Sequence, residues 1–256
     1  MIRIFSIVCS CAGRDGATAR FSDMAAGMIT ERAAETGETV EYECITADTV
    51  NLSFCRSCNN CFNKGGCPLD NVDDMAKIKE KLISADVIFF CSPVYIGTMS
   101  GFAKSLMDRI TYYSHRFEFA GKTAVVLVTT SNNHGNATVN DIKKMLQFMG
   151  ASVAYAGCAY RNGGEPNIYL PDQMAPELYR LAESVLESLN SPEKYIEKWQ
   201  EQSFMYRNKM NKVAKKFSEI VGIQLTDEMR VCIERGHGNY KTLTDYVLSM
   251  KSGEKE

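Results

Sequence analysis

Short apolar runs rich in β-branched and aromatic residues recur over the first 190 residues, at Ile2 to Val8, Val40 to Ile45, Val87 to Cys91, Thr123 to Thr129 and Ala151 to Cys158. Each has the length and composition of a buried strand. Between them the apolar positions change to helical spacing: Phe21, Met24, Ala25, Met28 and Ile29; then Met75, Ile78 and Leu82; then Phe102, Leu106 and Ile110. Five strands joined by helices predict an α/β domain built on a doubly wound, mostly parallel sheet. Such sheets take ligands beyond the carboxyl ends of their strands, where the winding direction reverses. The loops after the first, third and fourth strands are therefore where chemistry is expected.

From Pro192 onward the pattern differs. Charged, helix-like segments, Glu193 to Phe217 and Asp227 to Ile233, are separated by Gly222 and the Gly236-His-Gly238 turn. The expected organisation is one α/β domain over residues 1–190 and a helical C-terminal extension over 191–256. The extension holds the single tryptophan, Trp199, and a basic run, Lys209 to Lys216, which reads as the solvated face of a helix.

Composition narrows the functional classes. Charged residues make up 23% of the 256 and apolar ones 45%, with a net charge of −2, so neither a basic nucleic-acid surface nor a disordered chain is indicated. No stretch approaches the roughly 20 apolar residues that cross a bilayer, and Met1 to Cys9 reads as a strand rather than a secretory signal. The expectation is a soluble, cytoplasmic protein without nucleic-acid or membrane partners. Its ten cysteines then sit in a reducing compartment, where clustered thiols bind metal or do redox chemistry more often than they form structural disulfides.

Four segments carry candidate chemistry. Cys9-Ser-Cys-Ala-Gly-Arg-Asp-Gly-Ala-Thr18 joins the first strand to a helix, and backbone amides at a helix N-terminus reached through small residues make a phosphate cradle. An ordinary turn with Ser10 or Thr18 as a cap is the competing reading. Ser92-Pro-Val-Tyr-Ile-Gly-Thr-Met-Ser-Gly101 leaves the third strand and offers an aromatic face and several donors, which suits a planar ring with polar edges. The Lys104 and Asp108 that follow are an i,i+4 surface pair. Thr129-Thr-Ser-Asn-Asn-His-Gly-Asn136 is a third polar loop at the same sheet end, with His134 read as a loop residue.

The fourth segment places Cys55, Cys58, Cys61 and Cys67 within thirteen residues after the second strand. The C-x2-C-x2-C spacing gathers three thiolates, and Gly65-Gly66 lets a fourth return, as a [4Fe–4S] cluster requires. Tetrahedral zinc, free thiols and a labile disulfide are the alternatives. Asp73-Asp74 opens the next helix and reads as capping that complements the helix dipole. Cys9, Cys11, Cys44, Cys91 and Cys158 read as small core residues. No Ser/His/Asp or paired-carboxylate constellation stands out, so no side chain is assigned a catalytic role.

Taken together, the phosphate loop, the CxxCxxC…C run ahead of Asp-Asp, and the SPVYxGxMS segment through Asp108-Arg109 resemble the NAD(P)H-dependent FMN reductase superfamily and, within it, the iron–sulfur flavoproteins. The resemblance covers about residues 1 to 190. It implies a flavodoxin-like three-layer α/β/α fold with a five-stranded parallel sheet and FMN at its carboxyl edge. Ser10, Arg14 and Thr18 would bind the FMN phosphate; Pro93, Val94, Tyr95, Gly97 and Thr98 would line the isoalloxazine ring; Thr129, Thr130 and Ser131 would close its other edge. Cys55, Cys58, Cys61 and Cys67 would ligate a [4Fe–4S] cluster. NAD(P)H is the implied reductant, a homodimer or homotetramer the implied assembly, and an oxidoreductase that passes electrons to a small molecule or protein the implied activity. A non-enzymatic electron carrier or redox sensor is the alternative.

Overall fold

The computed structural model describes residues 1–131 and 133–253; Asn132 of the third polar loop and the last three residues of the extension lie outside it. Five parallel strands, β1 (Ile2–Val8), β2 (Val40–Thr46), β3 (Val87–Tyr95), β5 (Thr123–Thr130) and β6 (Ser152–Tyr160), run in the order β2-β1-β3-β5-β6. A two-residue strand, β4 (Thr98–Met99), pairs antiparallel with the end of β3. The order reverses between β1 and β3, the switch point of a flavodoxin-like sheet. All five expected strands are present, and the fourth and fifth of the sequence reading are β5 and β6.

Alternation along the strands divides the core in two. Phe5, Ile7, Ile88, Phe90, Val126 and Val128 face one side, packed by α3 (Met75–Ser84), α4 (Gly101–Arg109) and α6 (Gly135–Phe148). Ile4, Val8, Phe89, Val125 and Leu127 face the other, covered by α1 (Ala17–Ala34) and α7 (Pro171–Asn190). Burying each large apolar side chain contributes about 1.5–3 kcal/mol, and every residue of β5 is buried. Two single-turn helices, α2 (Asn60–Asn63) and α5 (Tyr113–Arg116), lie in connections.

The extension folds into α8 (Lys198–Val221), α9 (Asp227–Glu234) and α10 (Leu243–Ser252). It does not float free of the α/β layers. Phe204, Leu243, Tyr246 and Val247 form a third core with Phe117 and Ala120, which belong to the turn between α5 and β5. Phe117 meets Phe204 edge to face with centroids 5.0 Å apart. Among the described residues no helix is long and apolar enough to cross a membrane.

Candidate functional site

At the end of β1 the Cys9 amide donates to Cys91 O at 2.8 Å, which carries the chain past β3 before it turns. Ser10 is buried, and its hydroxyl accepts from the Ala12 amide at 3.3 Å. Gly16 stands at the N-cap of α1; no side chain caps this end and the first turn holds no acidic residue. Among the described residues the amides of Ala17, Thr18 and Ala19 have no acceptor. These are the donors that a phosphate satisfies at a helix N-terminus. The Thr18 hydroxyl is buried and shares a hydrogen bond of 2.7 Å with the Thr129 hydroxyl. Arg14 turns outward to Asp23 at 2.7 Å, so its guanidinium is not gathered into the cradle.

The segment after β3 is a hairpin rather than an open loop. Val94 pairs with Met99 and Tyr95 with Thr98, and the two turn residues, Ile96 and Gly97, have φ of +48° and +77°. A two-residue turn with both residues left-handed matches the twist of the flanking strands, and the second position suits glycine. Pro93 and Val94 are half-buried, while Tyr95 and Thr98 are exposed. Ser92 and Ser100 brace the base: the Ser100 amide donates to the Ser92 hydroxyl at 3.0 Å, and the Ser100 hydroxyl donates to Cys9 O at 2.7 Å and accepts from the Ala103 amide at 3.2 Å. The cap of α4 is thereby tied to the end of β1.

A methyl group on Gly97 would lie 3.5 Å from the His134 ring, so the hairpin tip meets the loop after β5. Thr129 and Thr130 are buried and Ser131 is exposed; the Thr130 hydroxyl donates to Asn133 O at 2.7 Å. Thr18 with Thr129, Ser100 with Cys9, and Gly97 with His134 join the three loops at one edge of the sheet. The hairpin and the contact of His134 with Gly97 were not expected. The signal for the hairpin was present, two β-prone dipeptides around Ile-Gly, but isoleucine is an unusual residue for a left-handed turn position.

Cys55, Cys58, Cys61 and Cys67 all line one cavity of about 460 Å³, together with Phe62, Leu69, Asp108 and Arg109. Ser57 and Asn59, both left-handed with φ of +53° and +57°, turn the chain twice between the first and third cysteines. Strained backbone of this kind clusters at ligand sites. Cys55 and Cys58 are exposed and Cys61 and Cys67 half-buried. Burial and the neighbouring Cys67 push the Cys61 thiol above its ordinary range. Among the described residues no three His, Cys, Asp or Glu side chains are drawn close enough to hold a metal ion, so the thiols stand around the cavity wall rather than converging on a point. The donor set nevertheless fits a cluster: four thiols, with no imidazole on the wall and one carboxylate, Asp108, which is paired with Lys104.

The loop is held from below by buried charge. Arg109 is fully buried and donates to Asp73, to Asp70 at 2.8 Å and to Ser53 O at 2.9 Å, while Lys79 reaches Asp70 at 2.6 Å. Burial alone would raise the Asp73 carboxyl, but hydrogen bonds from Arg109 and from the amides of Ser53 and Met75 hold it down to about 2. The bond to Met75 is the expected cap, yet the larger role of Asp73 is as anchor for Arg109. Cys11 is exposed and so is not the core residue that its apolar neighbourhood suggested, because it lies past the end of β1; Cys9 and Cys91 are buried as expected.

From above, the loop is held by the extension. Arg116 donates to Cys61 O at 3.2 Å and pairs with Asp227 of α9. His115 pairs with Glu228 of the same helix, and a methyl on Gly65 would lie 2.6 Å from Asp227 Oδ2. No local pattern announces these contacts, since Arg116 and Asp227 are 111 residues apart.

Comparison with known proteins agrees with this geometry. A relative from Methanocaldococcus jannaschii, named an iron–sulfur flavoprotein, is 37% identical over 102 residues, 40% of this chain and 52% of its own length. An iron–sulfur flavoprotein of Methanosarcina thermophila is 31% identical over 131 residues, 50% of this chain and 66% of its own. The matched stretches thus span about half to two-thirds of these relatives. Among solved structures, an NADH:FMN oxidoreductase superposes with a TM-score of 0.55 at 18% identity, covering 77% of this chain and 94% of its own. An FMN-dependent NADH-azoreductase from Bacillus anthracis superposes at 0.53 and 13% identity, covering 73% and 100%. At such identities these two establish the shared fold. The family described as NADPH-dependent FMN reductase matches residues 2–164, which include all three sheet-edge loops and the four loop cysteines; the chain belongs to that family and resembles its iron–sulfur flavoproteins.

Proposed function

We propose that this protein is an FMN-dependent, NAD(P)H-linked oxidoreductase whose cysteine loop carries a [4Fe–4S] cluster beside the flavin. The observation that carries the proposal is the alignment of all four cysteines on one cavity wall, at the same sheet end as the capless N-terminus of α1. In this reading the amides of Ala17, Thr18 and Ala19 hold the phosphate, with Ser10 shaping the turn and Arg14 adding long-range positive charge. Pro93, Val94, Tyr95, Gly97 and Thr98 present the hairpin to the ring, and Thr129, Thr130 and Ser131 bound its other side. Bound FMN supplies hydride and single-electron chemistry, and a bound cluster supplies single-electron transfer; the protein supplies binding, orientation and electrostatics.

What the chain contributes follows from its packing. Ser100 fixes the start of α4 against β1, and Arg109 at the other end of α4 lines the cysteine cavity. Nine residues of helix at 1.5 Å per residue separate Ser100 from Arg109 by about 13.5 Å along the axis. One rigid element therefore sets the spacing between flavin edge and cysteines. The buried Arg109 lines the same cavity as the four thiols and places a fixed positive charge on its wall.

The test is the absorption spectrum of anaerobically purified protein, with flavin, iron, acid-labile sulfide and zinc quantified on the same sample. The expected result is flavin with about four irons and four sulfides per chain, and turnover with NADH or NADPH. Flavin without iron would remove the cluster and leave an FMN reductase; absence of flavin would overturn the proposal. A second reading, a redox sensor acting on a protein partner, is favoured by one observation, the grip of α9 on Cys61 and Gly65. Reduction by a protein donor alone, with no turnover of NAD(P)H, would select it.

A further inference from the structure

The face of α8 that carries Asn208, Asn211, Lys212 and Lys215 packs toward the end of α9 and the turn His237–Asn239, and it leaves several polar groups without partners. Asn208 donates through Nδ2 to His237 O at 2.8 Å, but its Oδ1 is unpaired. Both amide atoms of Asn211 and both ring nitrogens of His237 are also buried and unpaired, with these residues 4% and 1% exposed. Leaving such groups unsatisfied costs about 1–3 kcal/mol each. His237 is enclosed by Phe117, Phe204 and Tyr246. Burial, with Arg235 nearby, pushes it down to about 4, so the ring is neutral and offers one donor and one acceptor.

The residues that carry these groups line a space, although the unpaired atoms themselves are closed to it. Asn208, Asn211, Lys212, Lys215, Cys232 and His237 line a cavity of about 320 Å³. A second cavity of about 680 Å³ adjoins it, sharing Asn208, Lys212, Gly238 and Asn239 and adding Lys209, Lys216, Tyr240 and Lys241. The stem of Lys212 crosses Gly238, where a methyl would lie 3.1 Å from its Cε. Five lysines, 209, 212, 215, 216 and 241, thus border one cleft that, among the described residues, no carboxylate lines. Among the described residues none of the five has a salt-bridge partner, although Lys79, Lys81, Lys104, Lys143 and Lys194 all do.

We propose that this cleft is a second ligand site, for a small phosphorylated anion of the diphosphate class. Five like charges along one cleft attract a multiply charged anion more strongly than a singly charged one. Phosphate oxygens accept from lysine as from a point charge, and a turn of the unpaired Asn211 side chain, which lines the inner cavity, would bring its amide to them. The space exceeds a single water's share of about 30 Å³ tenfold or more, which favours two linked phosphates over one small ion. Met205, Val213 and Tyr240 give the outer cavity an apolar side for an organic group. The site is separate from the sheet-edge loops and holds whether or not the flavin proposal does.

The experiment is isothermal titration of full-length, FMN-saturated protein with sodium pyrophosphate and, separately, ADP at physiological salt, so that the α1 cradle is already filled. Saturable one-to-one binding is expected, with affinity lowered at least about tenfold, or about 1.4 kcal/mol, in the double variant Lys212→Gln, Lys215→Gln. Asn211→Leu, which fills the inner cavity, should weaken binding as well. Lys194→Gln, whose ammonium pairs with Glu187 at 2.6 Å away from the cleft, should leave it unchanged. Tighter binding of ADP than of pyrophosphate would identify a nucleotide as the source, and equal binding the free diphosphate. No saturable binding of either probe, wild-type affinity in the double lysine variant, or binding of an oligonucleotide alone would overturn the proposal. The lysines are exposed, so that variant reports on the site even if Asn211→Leu does not fold.

Discussion

The loops after β1, β3 and β5 grow out of adjacent buried strands and are joined by short hydrogen bonds such as Ser100 to Cys9 and Thr18 to Thr129. The cysteine loop, in contrast, leaves the edge strand β2 at Thr46 and reaches α3 only at Met75, with a single helical turn, α2, and one 3-10 turn, Pro68–Asn71, between them. The first region needs little beyond the sheet to keep its shape. The second buries less apolar surface: Phe54 is exposed, Leu69 is buried, and Val50, Leu52 and Phe62 are only partly buried against the main core. It is fixed by ion pairs, below through Arg109 and above through Arg116. Ion pairs hold geometry at a high desolvation cost, so the cysteine loop should fail first and most sharply when one partner is removed.

The largest effect is expected at Arg109. Replacing it by methionine keeps most of the buried volume but strands Asp73, whose side chain is fully buried, and Asp70. Breaking a buried pair in this way costs about 3–5 kcal/mol. Urea unfolding should show that loss, and iron retention should fall before flavin retention does. Equal loss of both would mean that the two regions are not built differently.

Asp73→Asn tests the same anchor through pH. With its carboxyl held down to about 2 in the folded chain, against an ordinary value of about 3.9, Asp73 contributes stability that is fully present above about pH 4 and lost as pH falls through about 2. The variant should be about 2 kcal/mol less stable at neutral pH, within the range for a buried charge left unpaired. Its melting temperature should fall less steeply than that of the wild type between about pH 4 and pH 2. Parallel acid limbs would remove Asp73 from the account.

A smaller effect is expected at Gly65, where φ is +84° and a methyl would meet Asp227. Gly65→Ala should cost about 1–3 kcal/mol of strain. Amide hydrogen exchange should rise in α9 and in Asn60–Asn63 while α1 stays protected. Unchanged exchange in α9 would mean that the extension does not brace the loop.

The contrast between the regions also explains what the sequence disclosed. The central strands β1, β3 and β5 are largely buried and apolar, so their runs mark them directly, and the polar loops at their ends follow from the topology. Arg109 is visible in the motif, but that it lies buried between Asp70 and Asp73 is not, because burial of an arginine depends on partners 36 and 39 residues away. The bracing by α9 and the cleft at His237 are legible only in three dimensions. Local period identifies a helix face but not what lies beside it: the lysines of Lys209 to Lys216 are exposed, as read, and the cleft they border is not visible in the run.

The smallest effect separates two roles of one residue in the better-formed region. Thr18 reads in sequence as a phosphate ligand through its hydroxyl, yet that hydroxyl is buried and bonded to Thr129, while its amide at the start of α1 has no acceptor. Thr18→Val removes the hydroxyl and keeps the amide. Stability should fall by about 1 kcal/mol, the worth of one hydrogen bond with a buried partner left behind, and FMN affinity should change by less than about threefold, or under about 0.7 kcal/mol. A tenfold loss of FMN affinity would return the phosphate contact to the Thr18 side chain, and would mean that the Thr18–Thr129 bond opens when the ligand enters.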